Sequence, residues 1–165
     1  MDDPVRSAFA DGLAMLARRE LSEAQLRDRL ARRDHPPAGI DAAIERLRVS
    51  GALDDRRVAL SRARTEARVK SRGRARVLRL LESLGIASDV AASAVDEVFG
   101  ALDESDLLGK AVARRLRGPS ATIRDAAHFR RLHQQLVRQG FPPSAVFAAL
   151  KARGRRDTTP DSDGE

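Results

Sequence analysis

A pattern that recurs about every 50 residues limits what this chain can fold into. Three segments carry it: LARRDHPPAGIDAAI (30–44), LESLGIASDVAASAV (81–95) and LVRQGFPPSAVFAAL (136–150). Aligned on Leu30, Leu81 and Leu136, they place Asp34, Gly85 and Gly140 four residues on, followed by His35, Ile86 and Phe141. Ile40, Ala91 and Val146 come six residues after the Asp/Gly position, and Ile44, Val95 and Leu150 ten after it, with no insertion. The spacing between copies is 51 and then 55 residues. The physical reading is a helix closed by a residue in the left-handed conformation, an apolar residue packed back on its last turn, and a second helix. Leu26/Leu30, Val77/Leu81 and Leu132/Leu136 give the incoming helix its i, i+4 apolar face. Pro36-Pro37 and Pro142-Pro143 fall between helices or in a first turn, where Pro is tolerated. Asp34-His35 replaces Gly-apolar in the first copy, which is expected to have the weakest cap.

A further helix precedes each pair. Residues 5–19 place Phe9, Leu13 and Leu16 on one face. Residues 54–70 open on Asp54-Asp55, and residues 103–117 on Asp103, Glu104 and Asp106, acids that suit a helix N-terminus. Gly118-Pro119-Ser120 breaks the chain before the next helix. The expected fold is all-α: nine helices in three tandem three-helix repeats, forming an elongated curved body. The repeats are 1–50, 51–100 (the basic one) and 101–153, and 154–165 is expected to be a disordered polar tail. The wealth of Ala, Leu, Arg and Glu agrees with helix.

The formal net charge of +7 has one source. Residues 56–79, RRVALSRARTEARVKSRGRARVLR, hold ten Lys/Arg and one acid, Glu66. Residues 1–55 and 154–165 each sum to −2, and residues 80–153 to +2. So local a field points to a polyanion, most simply nucleic acid, or to a partner wrapped around one. Arg57, Arg64 and Arg68 share a helix face, and Arg72 continues the stripe if the helix runs on. Lys70, Arg72, Arg74 and Arg76 crowd the connection around Gly73. The candidate binding residues are therefore Arg57, Arg64, Arg68, Lys70, Arg72, Arg74 and Arg76. No aromatic interleaves with them, so the expected contacts are to phosphates, of single- or double-stranded DNA alike, without base stacking.

Catalysis finds no support. There is no Cys, and His128 and His133 are five apart, off-register for one helical face. Asp54 and Asp55 are adjacent at a helix start and do not converge on one substrate atom. No P-loop, Gly-x-Ser-x-Gly or dinucleotide fingerprint occurs. The start, MDDPVRSAFADG, lacks the basic and apolar regions of a signal peptide, and no stretch has the roughly 20 apolar residues of a membrane span. The expectation is a soluble, cytoplasmic, monomeric, non-enzymatic protein without a cofactor.

The segment SGALDDRRVALSRARTEARVKSRGRARVLRLLESLGI (50–86) resembles the central repeat of the RecX family through Asp54, Asp55, Val58, Ala59, Arg62, Arg64, Gly73, Leu81, Gly85 and Ile86. Residues 128–150 look like that family's last repeat, through Leu132, Leu136, Arg138, Gly140, Phe141, Val146 and Leu150. The opening helices fit through Leu16, Arg19, Ser22, Glu23, Leu26 and Leu30. Val58 stands where the family usually has Phe. The likeness covers about residues 8–153. It implies a cofactor-free regulator that lies in the groove of the RecA–DNA filament and restrains RecA assembly, strand exchange, ATPase and coprotease activity. Two other readings stand beside it: a nucleic-acid-binding protein that acts without RecA, and a helical scaffold whose basic stretch meets an acidic protein.

Overall fold

A computed structural model of the chain describes residues 4–116 and 122–156, with side chains for 5–116 and 122–154. Among the described residues there are nine α-helices and no strand. They are α1 (Pro4–Arg18), α2 (Glu23–Ala31), α3 (Pro37–Val49), α4 (Asp55–Arg64), α5 (Arg74–Ser83), α6 (Ser88–Gly100), α7 (Glu104–Arg115), α8 (Ala126–Arg138) and α9 (Pro143–Arg156). Each of the segments expected as a repeat holds three of them. Helix α9 runs through Gly154 to Arg156, so the expected tail begins within a helix; residues 157–165 and the Gly118-Pro119-Ser120 break lie outside the described residues.

The repeated motif is one hydrogen-bonded cap built three times. His35, Ile86 and Phe141 donate their backbone N–H groups to the carbonyls of Leu30, Leu81 and Leu136, each at 3.3 Å. Asp34, Gly85 and Gly140 donate to Ala31, Glu82 and Val137 at 3.0, 2.9 and 2.9 Å. This is the Schellman pattern, and it needs a left-handed residue at the second donor. The φ angles there are +60°, +77° and +97°. Asp34 thus adopts the conformation that the two glycines adopt in the other copies. The first cap has the same bonds as the others, at the cost of left-handed strain, on the order of 1 kcal/mol, at a non-glycine. His35 completes it in place of an apolar residue: its ring is nearly buried and its Nε2 lies 3.0 Å from Asp11. Hydrogen bonds from His35 and then Arg33 hold the Asp11 carboxyl below the ordinary carboxylate range.

The chain forms two compact units, one of Met1–Ala63 with Arg79–Asp96 and the other of Arg64–Leu78 with Glu97–Glu165. In the first, Leu21, Leu26, Leu30, Ile40, Ile44, Leu47 and Leu53 form a buried cluster against which Phe9 and Leu16 pack. Leu13, expected on that face, is 44% exposed. The reason is the closeness of α1 to α3. Small residues, Ala8 and Gly12, occupy the contact, and a Cβ on Gly12 would stand 2.9 Å from Leu47. In the second unit α9 packs on α7 and α8, burying Leu108, Val112, Leu132, Leu136, Val146 and Leu150.

The Asp54-Asp55 pair divides its labour. Asp54 caps its own helix, accepting the Arg57 N–H at 3.0 Å. Asp55 reaches back to α2 and accepts the Glu23 N–H at 2.8 Å. Burial raises the Asp55 pKa, partly offset by that hydrogen bond. A carboxyl whose folded pKa lies above its unfolded value binds protons more tightly when folded, so its contribution to stability grows as pH falls through the folded value. Asp55→Asn keeps an acceptor without the charge. It is expected to leave stability at about pH 7 unchanged or slightly higher, and to lose the acid-side gain near the ordinary Asp value of about 3.9. Asp55→Ala is expected to cost about 1 kcal/mol. Urea midpoints at the two pH values check both.

Candidate functional site

The basic stretch enters its first unit on α4 and its second on a single π-helical turn, Thr65–Val69. Val58, Ala59, Ala63 and Ala67 are buried along this helix and Leu60 is half-buried, as the apolar pattern requires. The helix does not run on to Arg72. Lys70 N–H donates to the Thr65 carbonyl at 3.3 Å, Ser71 turns left-handed with φ +48°, and the chain leaves in another direction. Arg72 therefore does not extend the stripe of Arg64 and Arg68.

What organises the turn is the stretch's one acid. Glu66 falls three residues after buried Ala63 and seven after buried Ala59, on the inward face of the helix, and is only 2% exposed. It accepts a hydrogen bond from Lys70 Nζ at 2.7 Å and another from an Arg72 guanidinium nitrogen. Arg72 N–H also donates to the Glu66 carbonyl at 3.1 Å. Lys70 and Arg72 thus neutralise a buried carboxylate besides facing solvent. Glu66→Ala is expected to cost about 1–3 kcal/mol, because it removes charge-assisted bonds while the two cations regain water. Lys70→Met with Arg72→Met leaves Glu66 buried and unpaired. In that background Glu66→Gln should recover stability instead of losing it, a non-additivity that denaturant midpoints read directly.

The remaining candidates differ in how they are held. Arg57, in the first unit, donates to the Gly51 and Ala52 carbonyls at 3.1 Å each, securing the loop after α3. Arg74 reaches Glu104 at 3.4 Å, with its guanidinium 5.4 Å from the centre of the Phe99 ring. Arg64 pairs with Glu97 at 3.4 Å, both largely exposed. Arg76 donates to the Arg138 carbonyl at 3.4 Å. Arg68 is exposed and makes no hydrogen bond or ion pair among the described residues. The second unit thus brings six of the seven candidates together by sequence and places Arg57 in the other. Arg62, exposed and equally unengaged among the described residues, has the same character as Arg68; its place in the charge run is a signal that helical-face spacing alone did not select.

Gly73 fixes where this loop sits. Its N–H donates to the Gln139 carbonyl at 2.9 Å, and a Cβ there would lie 2.4 Å from the Gly140 carbonyl carbon. The basic loop is thereby pinned to the cap that ends α8. Among the described residues, no cluster of three or more His, Asp or Glu is arranged to hold a metal, and no helix is long and apolar enough to cross a membrane.

Residues 8–47 match the description of RecX, first three-helix domain. Over 148 residues the chain is 35% identical to "Regulatory protein RecX" of Halorhodospira halophila, covering 88% of this chain and 87% of that protein. It is 31% identical over 147 residues to the protein of the same name from Syntrophotalea carbinolica, covering 87% of this chain and 94% of that one. The chain belongs to the RecX family. The RecX of Geobacillus kaustophilus is 28% identical over 92% of this chain, and the chain spans only 56% of its length. The fold has counterparts in a crystal structure of regulatory protein RecX (TM-score 0.73, 22% identity, 91% of this chain and 72% of that one) and in that of RecX from Lactobacillus salivarius (TM-score 0.71, 17% identity, 92% and 97%). Relatives in this family are named regulatory proteins.

Proposed function

We propose that this RecX-family chain binds the RecA–DNA filament and lowers RecA recombinase, ATPase and coprotease activity. It acts by occupancy, as a cofactor-free cytoplasmic monomer, without catalysis of its own. The observation that carries this reading is the burial of Glu66. With that acid inside, the charged side chains that the stretch 56–79 turns to solvent are all cations. Glu97 and Glu104 pair with Arg64 and Arg74, but ten cations against these few acids leave a strongly positive field that suits DNA phosphates or acidic RecA surface. Arg64, Arg68, Arg74 and Arg76 are the proposed direct contacts. Arg57, Lys70 and Arg72 add charge while holding the backbone that presents them.

RecA ATPase on single-stranded DNA tests the proposal. At sub-stoichiometric ratios of this protein to RecA, turnover is expected to fall, with shorter filaments by electron microscopy. Unchanged turnover and filament length at micromolar protein would remove RecA from the reading and leave a nucleic-acid-binding protein that acts alone.

A further inference from the structure

Helices α8 and α9 hold a second concentration of positive charge that the sum over residues 80–153 conceals. From Ala126 to Arg156 there are seven Lys/Arg and no Asp or Glu. All eight acids of residues 80–153, the last of them Asp125, precede this pair of helices. The pair also holds what the stretch 56–79 lacks, since three of the five Phe of the chain lie in it. Phe141 is buried, but Phe129 and Phe147 meet edge to face, their ring centres 5.6 Å apart and their planes at 76°. Phe147 is 50% exposed, although its neighbour Val146 is fully buried. A cavity of about 260 Å³ opens beside the rings, walled by Phe129, Arg130, His133, Gln134 and Phe147. His133 Nε2 donates to the Pro143 carbonyl at 3.2 Å, tying this wall to the start of α9. Lys151 Nζ stands 5.9 Å from the Phe147 ring centre. Arg130 and Lys151 are exposed and form no ion pair among the described residues.

We propose that this face binds one unpaired base of a single-stranded nucleic acid, stacked on Phe147, with Arg130 and Lys151 on the flanking phosphates. The ring offers a π-face that any base can stack on. The cations, with no carboxylate among them, select a polyanion and repel a basic partner. The cavity is smaller than the roughly 300–1,000 Å³ of a small-molecule site, which suits a single ring system. A duplex keeps its bases stacked inside, so the site discriminates for single strands. This goes beyond the proposed RecA regulation, because it assigns a base contact to helices outside the stretch that would meet phosphates.

Fluorescence anisotropy of the full chain with three labelled probes tests it: oligothymidylate, an abasic phosphodiester strand of equal length, and a duplex. Phe147→Ala should weaken oligothymidylate binding by about 5- to 100-fold and leave the other two within about twofold. Phe147→Tyr, which keeps the ring, should retain affinity. Phe147→Leu, which keeps apolar bulk without the π-face, should lose it, and so separates stacking from packing. Arg130→Ala with Lys151→Ala should weaken all three probes. Unchanged oligothymidylate affinity in Phe147→Ala would overturn the proposal, and so would an equal loss on the abasic strand. Concentration-dependent self-association that Phe147→Ala abolishes, with DNA affinities unchanged, would overturn it in favour of a protein interface.

Discussion

Arg64→Ala, Arg68→Ala and Arg76→Ala in combination should weaken binding to single-stranded DNA by about a hundredfold at 0.1 M salt. Counterion release sets the size of the loss. Each phosphate contact on a single strand adds about 0.7 to the slope of log affinity against log salt, so three lost contacts remove about two from the slope and about two decades of affinity at 0.1 M. These three are chosen for what they do not hold. Arg68 is unengaged among the described residues, Arg64 has an exposed partner in Glu97, and the Arg76 bond to Arg138 is long. An exposed pair such as Arg64–Glu97 contributes about 0–1 kcal/mol, and Ala favours helix, so helicity by circular dichroism should persist. Arg72 is left out because its loss would disturb Glu66. The matched control is Arg6→Ala, Arg18→Ala and Arg19→Ala, exposed positions in the other unit with the same change of charge. Equal losses in the two variants would show that net charge alone is responsible and that the central stretch is not the site.

Gly73→Ala is expected to destabilise the protein by about 3 kcal/mol or more. An added Cβ would meet the Gly140 carbonyl carbon and oxygen at 2.4 Å each and the Phe141 nitrogen at 2.7 Å. All three are backbone atoms, which no side-chain rotation moves away. Relief requires the loop to lift from the cap of α8, which breaks the Gly73–Gln139 hydrogen bond and adds overpacking strain of about 1–3 kcal/mol. For a chain of this size that corresponds to a fall in Tm of roughly 6–12 °C. Gly109→Ala is the informative contrast. It lies within α7 with nothing within 4 Å of its would-be Cβ, so the same chemical change should stabilise by about 0.5–1 kcal/mol. Should Gly73→Ala retain the wild-type Tm, the close approach of the two glycines is not what holds the basic loop in place.

Gly73 and Gly140 also show where reading the sequence stops. Gly140 was legible because its role is local. A helix ending in Gly followed by an apolar residue needs the left-handed conformation, and the same offsets around Gly85 and Asp34 repeat the need. The three caps and the nine helices of the described residues follow from such short-range rules, while the inward face of α1 does not, since Leu13, in register with Phe9 and Leu16, is exposed. The concentration of charge in residues 56–79 is legible too, as a property of composition. Gly73 carries no local signal of its purpose, since its φ is not in the left-handed region and its role is to let two backbones touch across 67 residues of sequence.

Glu66 lies between these cases. Its register with Ala59 and Ala63 marks it as inward-facing, yet only the π-helical turn and the reversal at Ser71 bring Arg72 back to meet it. Helix periodicity cannot reveal that return, because it occurs after the helix has ended. The acid-free run of α8 and α9 was likewise in the sequence, but the acids of residues 80–125 offset it in the sum over residues 80–153; packing then decided that Phe147 faces outward and Val146 inward. The sequence by itself therefore determined which segments are helices, how they end and where the charge is concentrated, because each depends on neighbours a few residues apart. The tertiary structure alone decided which of those charges are committed to holding the fold and which face solvent, because that depends on contacts between residues remote in the chain.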